Sequence, residues 1–280
     1  MLTTNVFMQY GLTLKKRHIK WLKIVVTIYL VIGLALYLLQ DYILFQPIQL
    51  TTKSAYSFGS AHKEVNIPID KNSNLSVVQF TTHKKSKGVV LYFHGNKKNI
   101  SWYAKYSSFF TKNNYEVWMI DYPGYGKSKG MFTEENLYKW SLQLYKLARA
   151  KYSVDSIIIY GKSMGTGLAA QLASVRDCKQ LLLETPYYSF PQIVKDYTPM
   201  YPVNLIIRYK IPTYQYLQKV TAPIVIFQGT SDWIIRNSNA LRLKPFLKPS
   251  DQFISVKNGS HNNLFKFPIV LQTLDSLLKL

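Results

Sequence analysis

The sequence predicts an α/β fold in which helices flank a mainly parallel sheet, with a membrane-spanning helix before it. Short apolar runs alternate with stretches of helical periodicity through most of the 280 residues. Continuous apolar strands between helices are typical of a parallel sheet that is covered on both faces. A further apolar segment near the N-terminus, residues 21–39, is long enough for a helix to cross a bilayer.

The composition indicates a folded chain with a basic surface. Hydrophobic residues make up 48% of the chain, which is enough to bury a sizeable core. The net charge is +21, so the surface attracts anionic partners. Only six basic residues are arginines, the residue suited to bidentate contacts with phosphates and bases, so we expect no specific nucleic-acid partner. The single cysteine, Cys178, allows no internal disulfide and is expected to be a buried apolar residue.

The N-terminal apolar segment is predicted to be an uncleaved anchor. Its N-terminal side is crowded by basic residues, so the positive-inside rule places the N-terminus in the cytoplasm and the remainder across the membrane. A cleaved signal peptide and a buried core helix are the alternatives, although no small-residue cleavage site follows. The chain is therefore divided into a basic N-terminus (1–20), an anchor (21–41) and a domain (42–280) with a short cap at about 185–219. The basic residues are Lys15, Lys16, Arg17, Lys20 and Lys23.

The rest of the chain reads as one domain without a linker or repeat. Its predicted strands are the apolar runs at 64–67, 75–80, 89–93, 117–120, 157–160, 181–183, 224–227 and 253–256. Its predicted helices lie at 134–152, 167–174, 237–247 and 263–280. In such a sheet the loops at the carboxyl ends of the strands carry the chemistry. Four of those loops hold unusual polar residues, at 94–96, 161–165, 228–232 and 257–261.

The loop 161–165 reads GKSMG and predicts a nucleophile on a tight strand-to-helix turn. Such a turn lifts the Ser163 hydroxyl out of the sheet, and glycines on both sides leave room for it. The N–H groups that begin the following helix can stabilise an oxyanion. Met164 N–H is the expected first donor, and Asn96 N–H in the HGN turn is the expected second.

An acid and a base follow in later loops. Asp232 comes after the strand at 224–227, and His261 comes after the strand at 253–256. A serine hydroxyl needs a nearby base, and that base needs an orienting acid, so the three residues predict a catalytic triad. The residues alone leave open that Ser163 is a turn residue, Asp232 a helix N-cap and His261 a surface loop residue. No Cys, His and carboxylate set has zinc spacing, and no glycine-rich nucleotide loop is complete, so we expect no metal and no cofactor.

The blocks VVLYFHGN, IDYPGYGKSKG, YGKSMGTG, LETPYYS, IFQGTSDWII and NGSHNNL resemble those of α/β-hydrolase superfamily serine hydrolases. The chain is most similar to the membrane-tethered bud-emergence and abhydrolase-domain branch, which is described in bacteria as serine aminopeptidase-like. This resemblance implies the α/β-hydrolase fold, with Ser163 as nucleophile, Asp232 as acid and His261 as base. It also implies oxyanion donors at Asn96 and Met164. One departure is Pro123, where many relatives carry arginine.

The expected function is hydrolysis of acyl esters or thioesters by a membrane-anchored enzyme, with a small-molecule or lipid-like acyl substrate. A serine aminopeptidase is the first alternative, and Glu184 could bind the α-amino group that such an enzyme must hold. A non-catalytic anchored binding protein is the second alternative. The sequence does not indicate the oligomeric state.

The charge distribution predicts the topology, which a fusion experiment tests. A reporter fused after Leu280 should read as non-cytoplasmic, and the full chain should resist carbonate extraction. A cytoplasmic reporter signal would reverse the orientation inferred from the basic residues at 15–23. A shortened mature N-terminus would favour the signal-peptide interpretation.

Overall fold

The computed structural model describes residues 2–51 and 53–279, with side chains from Arg17 onward, and it contains the predicted sheet. The strands are β1 Gln46–Pro47, β2 His62–Pro68, β3 Asn74–Phe80, β4 Gly88–Phe93, β5 Lys97–Lys98, β6 Tyr115–Ile120, β7 Ile157–Lys162, β8 Gln180–Glu184, β9 Ile224–Gly229 and β10 Gln252–Val256. The main sheet has the order β10-β9-β8-β7-β4-β6-β3-β2, in which β3 and β2 form an antiparallel edge and the other strands are parallel. A separate parallel pair joins β1 and β5.

Helices cover both faces of this sheet. They are α1 Leu2–Leu44, α2 Ile100–Tyr103, α3 Ser107–Thr111, α4 Glu134–Arg149, α5 Met164–Val175, α6 Phe190–Tyr197, α7 Val203–Ile206, α8 Thr213–Leu217, α9 Asn237–Leu241 and α10 Pro268–Lys279. One face packs Leu91 and Ile159 against α4 and α5. The other packs Val90 and Ile158 against α3 and α10. Because alternate side chains are buried on opposite faces, the central strands are apolar at every position.

The predicted α/β-hydrolase fold is confirmed, and each predicted strand is present with bounds that shift by at most two residues. The helices differ more. The helix predicted at 237–247 ends at Leu241, and a separate 3₁₀ turn at Lys244–Phe246 contains Pro245, which lacks the N–H that a continuing helix needs. The helix predicted at 263–280 starts only at Pro268, after another 3₁₀ turn. Helices α2 and α3 were not predicted, because one helical turn shows no clear periodicity.

The strand order places a crevice above the centre of the sheet. Strand β4 lies between β6 and β7, so the chain leaves β4 toward one side and returns on the other. Loops after β4 and β7 therefore diverge, and the gap between them is where open α/β sheets bind ligands. The predicted loops 94–96 and 161–165 stand on the two sides of this gap.

Helix α1 is longer than the predicted anchor at 21–41. It runs for 43 residues, and its part from Arg17 to Leu44 is long and apolar enough to cross a membrane, a test that a signal sequence or a core helix would also pass. The most apolar window of this part is not buried by the rest of the chain. This exposure is inconsistent with a buried core helix, one of the alternatives for this segment.

Candidate active site

The turn after β7 holds Ser163 in a strained conformation. Its φ of 52° and ψ of −121° lie outside the regions that L-residues ordinarily populate, which costs about 1–3 kcal/mol. The N–H of Ser163 donates to the carbonyl oxygen of Glu184 on the neighbouring strand, at 2.9 Å, and helps to hold the turn. The serine is therefore not an ordinary turn residue, because its backbone is constrained so that the side chain leaves the sheet.

Gly165 makes this turn possible by allowing a close backbone approach. A Cβ atom at this position would overlap the carbonyl oxygen of Phe93 and lie 2.7 Å from the carbonyl oxygen of His94. The start of α5 is thereby pressed against the end of β4, which brings the HGN turn beside Ser163. This close approach is the steric reason why a glycine stands two residues after the serine.

His261 lies at hydrogen-bond distance from both Ser163 and Asp232. The Nε2 atom of His261 lies 2.9 Å from Ser163 Oγ, and its Nδ1 atom lies 2.8 Å from Asp232 Oδ2. The other oxygen of Asp232 accepts from the N–H groups of Ile234 and Ile235, both at 2.9 Å. All three predicted side chains are nearly buried, so these contacts are sheltered from water. His261 is not the exposed loop histidine that the sequence left open.

The loops after β9 and β10 are bonded to each other, which sets the distance between the acid and the base. Ser231 N–H donates to the carbonyl oxygen of Gly259 at 2.9 Å, and Asn258 N–H donates to Thr230 Oγ1 at 2.9 Å. Because β9 and β10 are adjacent and parallel, their loops leave the same edge of the sheet side by side. Residues 29 positions apart in sequence are thus brought into contact.

The two predicted oxyanion donors line the same cavity as Ser163 and His261. Among the described residues, the N–H groups of Asn96 and Met164 donate to no protein acceptor. The side chain of Asn96 donates instead to the carbonyl oxygen of Leu44 at 2.6 Å, and Gln46 N–H donates to the carbonyl oxygen of Asn96 at 3.0 Å. The HGN turn is thus fastened to the end of α1.

Known proteins resemble the chain in both sequence and structure. Residues 84–204 match the family described as Serine aminopeptidase, S33. Alpha/beta hydrolase domain-containing protein 17C of Xenopus tropicalis is 29% identical over 201 residues, which are 69% of this chain and 62% of that protein. The human protein of the same name is 27% identical over 69% of this chain and 58% of its own length. The match therefore spans about three fifths of the length of these curated relatives.

Solved structures share the fold at low sequence identity. An esterase of Pyrococcus furiosus superposes with a TM-score of 0.65 at 18% identity, over 84% of this chain and 97% of the esterase. A Butyrivibrio proteoclasticus protein with bound ferulic acid gives a TM-score of 0.57 at 16% identity, over 77% of this chain and 96% of its own. The chain therefore has the α/β-hydrolase fold and is similar in sequence to proteins with that fold.

His94 is a buried structural residue of the hydrolase domain. Its ring packs between Tyr103 and Tyr122, with ring centroids 4.9 and 4.3 Å away. Its Nδ1 atom lies 2.7 Å from the carbonyl oxygen of Gly95, and its Nε2 atom lies 3.6 Å from Asp121 Oδ1. The ring braces the HGN turn and does not reach Ser163.

Sequence reasoning missed a buried ion pair beneath the site. Lys162 and Glu184 are almost fully buried, and the ammonium group of Lys162 donates to one carboxylate oxygen of Glu184. Tyr160 donates to the other oxygen at 2.6 Å, and Lys162 also donates to the backbone carbonyl of His261 at 3.1 Å. The two charged residues stand opposite each other on β7 and β8, so the pairing could have been found only with the strand register. Glu184 is consequently not free to bind the amine of a substrate.

The site opens into an apolar cavity of about 610 Å³. Its described lining includes aliphatic and aromatic side chains from α1, α6 and α7, and it contains three lysines but no Asp or Glu. The segment predicted as a cap, about 185–219, supplies α6, α7 and α8 between β8 and β9.

Cys178 does not line this cavity, and burial raises the pKa of its thiol to about 12, so the thiol stays protonated at neutral pH. Among the described residues, no group of three His, Cys, Asp or Glu side chains could hold a metal.

Removing one member of the buried ion pair should destabilise the domain. Lys162→Met leaves the carboxylate of Glu184 buried without its cation, which should lower the free energy of unfolding by about 3–5 kcal/mol. Urea denaturation of the full chain in detergent micelles measures this loss. The double variant Lys162→Met with Glu184→Leu should recover much of it, because no uncompensated charge remains.

The matched control replaces another paired lysine in the same way. Lys139 bonds Glu135 on the exposed face of α4, so Lys139→Met should change the stability little. Equal effects of the two single variants would contradict the importance of the buried pair.

Proposed function

We propose that this protein is a membrane-anchored serine hydrolase that cleaves acyl esters or thioesters through an acyl-enzyme. The observation that carries the proposal is the chain of contacts from Ser163 through His261 to Asp232, in which Ser163 and His261 line an apolar cavity. The family match, the abhydrolase relatives and the esterase structures support a hydrolase of this superfamily. In addition, helix α1 would hold the domain at a membrane surface.

In the proposed reaction, His261 acts as the general base. Its Nε2 atom takes the proton of Ser163 Oγ as that oxygen attacks the substrate carbonyl, and it later donates this proton to the leaving group. Asp232 accepts a hydrogen bond from Nδ1–H, which fixes the tautomer and stabilises the imidazolium. A water molecule, deprotonated by the same histidine, then cleaves the acyl-enzyme and restores Ser163.

The tetrahedral intermediate requires donors for its oxyanion. In our proposal these are the N–H groups of Asn96 and Met164, which line the cavity beside Ser163 and have no other protein acceptor among the described residues. Preorganised donors in a water-excluded site stabilise the developing charge without reorganisation. Met164 also begins α5, so the helix dipole favours a negative charge at the same point.

The lining of the cavity favours an acyl substrate over a peptide with a free amine. The family description raises the aminopeptidase alternative, and such an enzyme must bind a cationic α-amino group. The described cavity lining holds no carboxylate, and Glu184 is already paired with Lys162. An apolar acyl chain fits this lining better, and its two lysines that are not buried, Lys97 and Lys98, favour an anionic group on the substrate.

A fluorophosphonate probe tests the nucleophile. It should label Ser163 in the purified full chain, because phosphonylation needs the activated hydroxyl. Ser163→Ala should abolish the labelling, whereas the control Ser101→Ala, at an exposed serine, should keep it. Labelling that persists in Ser163→Ala would point to another nucleophile, and no labelling of the folded wild-type protein would favour an anchored binding protein without turnover.

The substrate class is tested by comparing kcat/KM values for two series. We expect p-nitrophenyl acyl esters to be hydrolysed faster than aminoacyl p-nitroanilides, since the cavity offers apolar contacts and no carboxylate for an amine. Esters with longer acyl chains should be better than acetate, because each buried methylene contributes about 0.8 kcal/mol. Faster turnover of the aminoacyl amides would overturn the ester assignment in favour of a peptidase.

A further inference from the structure

Helix α1 carries one stripe of residues that is docked on the cap. Tyr29, Gly33, Leu36, Gln40 and Leu44 recur every three or four residues and so share one face of the helix. The ring of Tyr29 stacks on Tyr201 with centroids 4.6 Å apart. A Cβ atom on Gly33 would lie 3.2 Å from the ring of Tyr201. The helix is therefore in contact with the cap from Tyr29 to its C-terminal end.

This docking places the cap at a definite depth along the helix. Tyr29 lies ten residues before Leu39, the end of the apolar run, which is about 15 Å along a helix. The apolar residues that precede the docked part, 21–28, would span only about 12 Å, whereas a bilayer core is about 30 Å thick. If α1 crosses the membrane with its apolar run in the hydrocarbon, Tyr201 and its neighbours must lie in the hydrocarbon with it.

The cap surface near Tyr201, together with the loop after β9 that holds Trp233, has the chemistry of a lipid-facing surface. Met200 is 70% exposed, Leu205 is 84% exposed and Trp233 is 74% exposed, and we call these three residues the apolar rim. Large exposed apolar side chains are unfavourable in water but not in lipid. Tyr197 links the two parts of the rim, because its hydroxyl donates to the carbonyl oxygen of Trp233.

Backbone groups in this part of the cap are also satisfied from within the protein. The hydroxyl of Tyr29 donates to the carbonyl oxygen of Met200 at 3.0 Å, and the amide of Gln40 donates to the carbonyl oxygen of Ile206 at 3.3 Å. Ile207 N–H donates to the carbonyl oxygen of Val203 at 2.9 Å. Irregular backbone survives at membrane depth only when its polar groups have such internal partners.

Charged residues mark where the hydrocarbon would end. Arg208 bonds Asp41 at 3.0 Å, and Asp41 lies just beyond the apolar run of α1. In the cavity lining, Lys98 lies over the ring of the exposed Trp102, 3.3 Å from its centroid. Tryptophan beside lysine is typical of the headgroup region. The charged pair and this contact are therefore expected at the edge of the hydrocarbon.

We propose that the apolar rim lies in the hydrocarbon beside α1, and that the cavity receives the acyl chain of a membrane lipid directly from the bilayer. The cavity lining supports this route, because it contains Leu36 and Ile43 of α1 together with Tyr201 and Ile206 of the cap. Ser163 lines the same cavity. The assignment names the substrate class of the proposed hydrolase, a lipid ester with a long chain, and rests on that proposed function.

The position of the rim can be measured without any activity. A nitroxide attached at Leu205→Cys, with the full chain in phosphatidylcholine vesicles and Cys178 replaced by Ala, should collide with oxygen and be protected from a water-soluble nickel complex. The control label at Met131→Cys should show the reverse, since Met131 is also 74% exposed but lies outside the cap. Equal nickel access at the two positions would overturn the proposal. Protection of position 205 from both reagents would overturn it as well, because a second copy of the chain would then cover the rim.

A kinetic comparison tests lipid delivery. Leu205→Glu should lower kcat/KM by about tenfold or more for a long-chain ester held in vesicles, because a charge at membrane depth opposes insertion. Hydrolysis of a water-soluble short-chain ester should not change, since Leu205 does not line the cavity. Met131→Glu should leave both rates unchanged.

The outcomes separate this inference from the function on which it rests. Equal loss on both esters, or no loss on either, would overturn delivery from the bilayer. If wild-type protein hydrolysed neither ester, the proposed function itself would fail, while the nitroxide measurement would still report whether the rim lies in the membrane.

Discussion

Backbone crowding between the end of β4 and the start of α5 is the constraint on which the site depends. Gly165 lets the helix approach the carbonyl oxygens of Phe93 and His94, and the turn before it forces Ser163 to a positive φ. The same approach sets the HGN turn beside the serine. Strain in the turn is compensated by the packing of β4 and β7, which are buried, and of α5, which is buried over most of its length. A bulkier residue at position 165 would disturb the serine and the N–H groups of both turns together.

Electrostatic balance beneath the turn depends on the buried Lys162–Glu184 pair. A buried pair of this kind adds little net stability, yet loss of one partner is costly because the other charge stays desolvated. Here the pair also reaches the loop of His261 through the carbonyl oxygen that accepts from Lys162. We infer that the ion pair holds the strands β7 and β8 and the loop after β10 in one arrangement. The proposed base is therefore positioned by a charge that does not take part in the proposed proton transfers.

Helix α1, the proposed membrane anchor, also contacts the candidate active site. Its end is bonded to the HGN turn through Asn96, and its docked stripe forms part of the cavity wall. An anchor that served only as a tether would need neither contact. The helix thus lines the cavity of the candidate site as well as providing the proposed membrane attachment, so the domain and the helix are expected to act as one unit.

The sequence by itself determined the eight strands of the main sheet, their order along the chain and the candidate site residues. Continuous apolar runs reveal strands that are buried on both faces, and glycine spacing around Ser163 reveals a tight turn, because both are local consequences of packing and sterics. The sequence did not predict the short helices α2 and α3 or the end of α9 before Pro245, because a single helical turn shows no hydrophobic periodicity.

Tertiary structure alone decided the side-chain contacts that belong to no sequence motif. The ion pair of Lys162 and Glu184 depends on the register of β7 and β8, and the contact of Tyr29 with Tyr201 joins residues that are 172 positions apart. Likewise, the sequence could mark α1 as apolar but could not indicate that its far half lies against the cap. Such contacts depend on how distant elements pack, and a linear pattern carries no information about the distance between them.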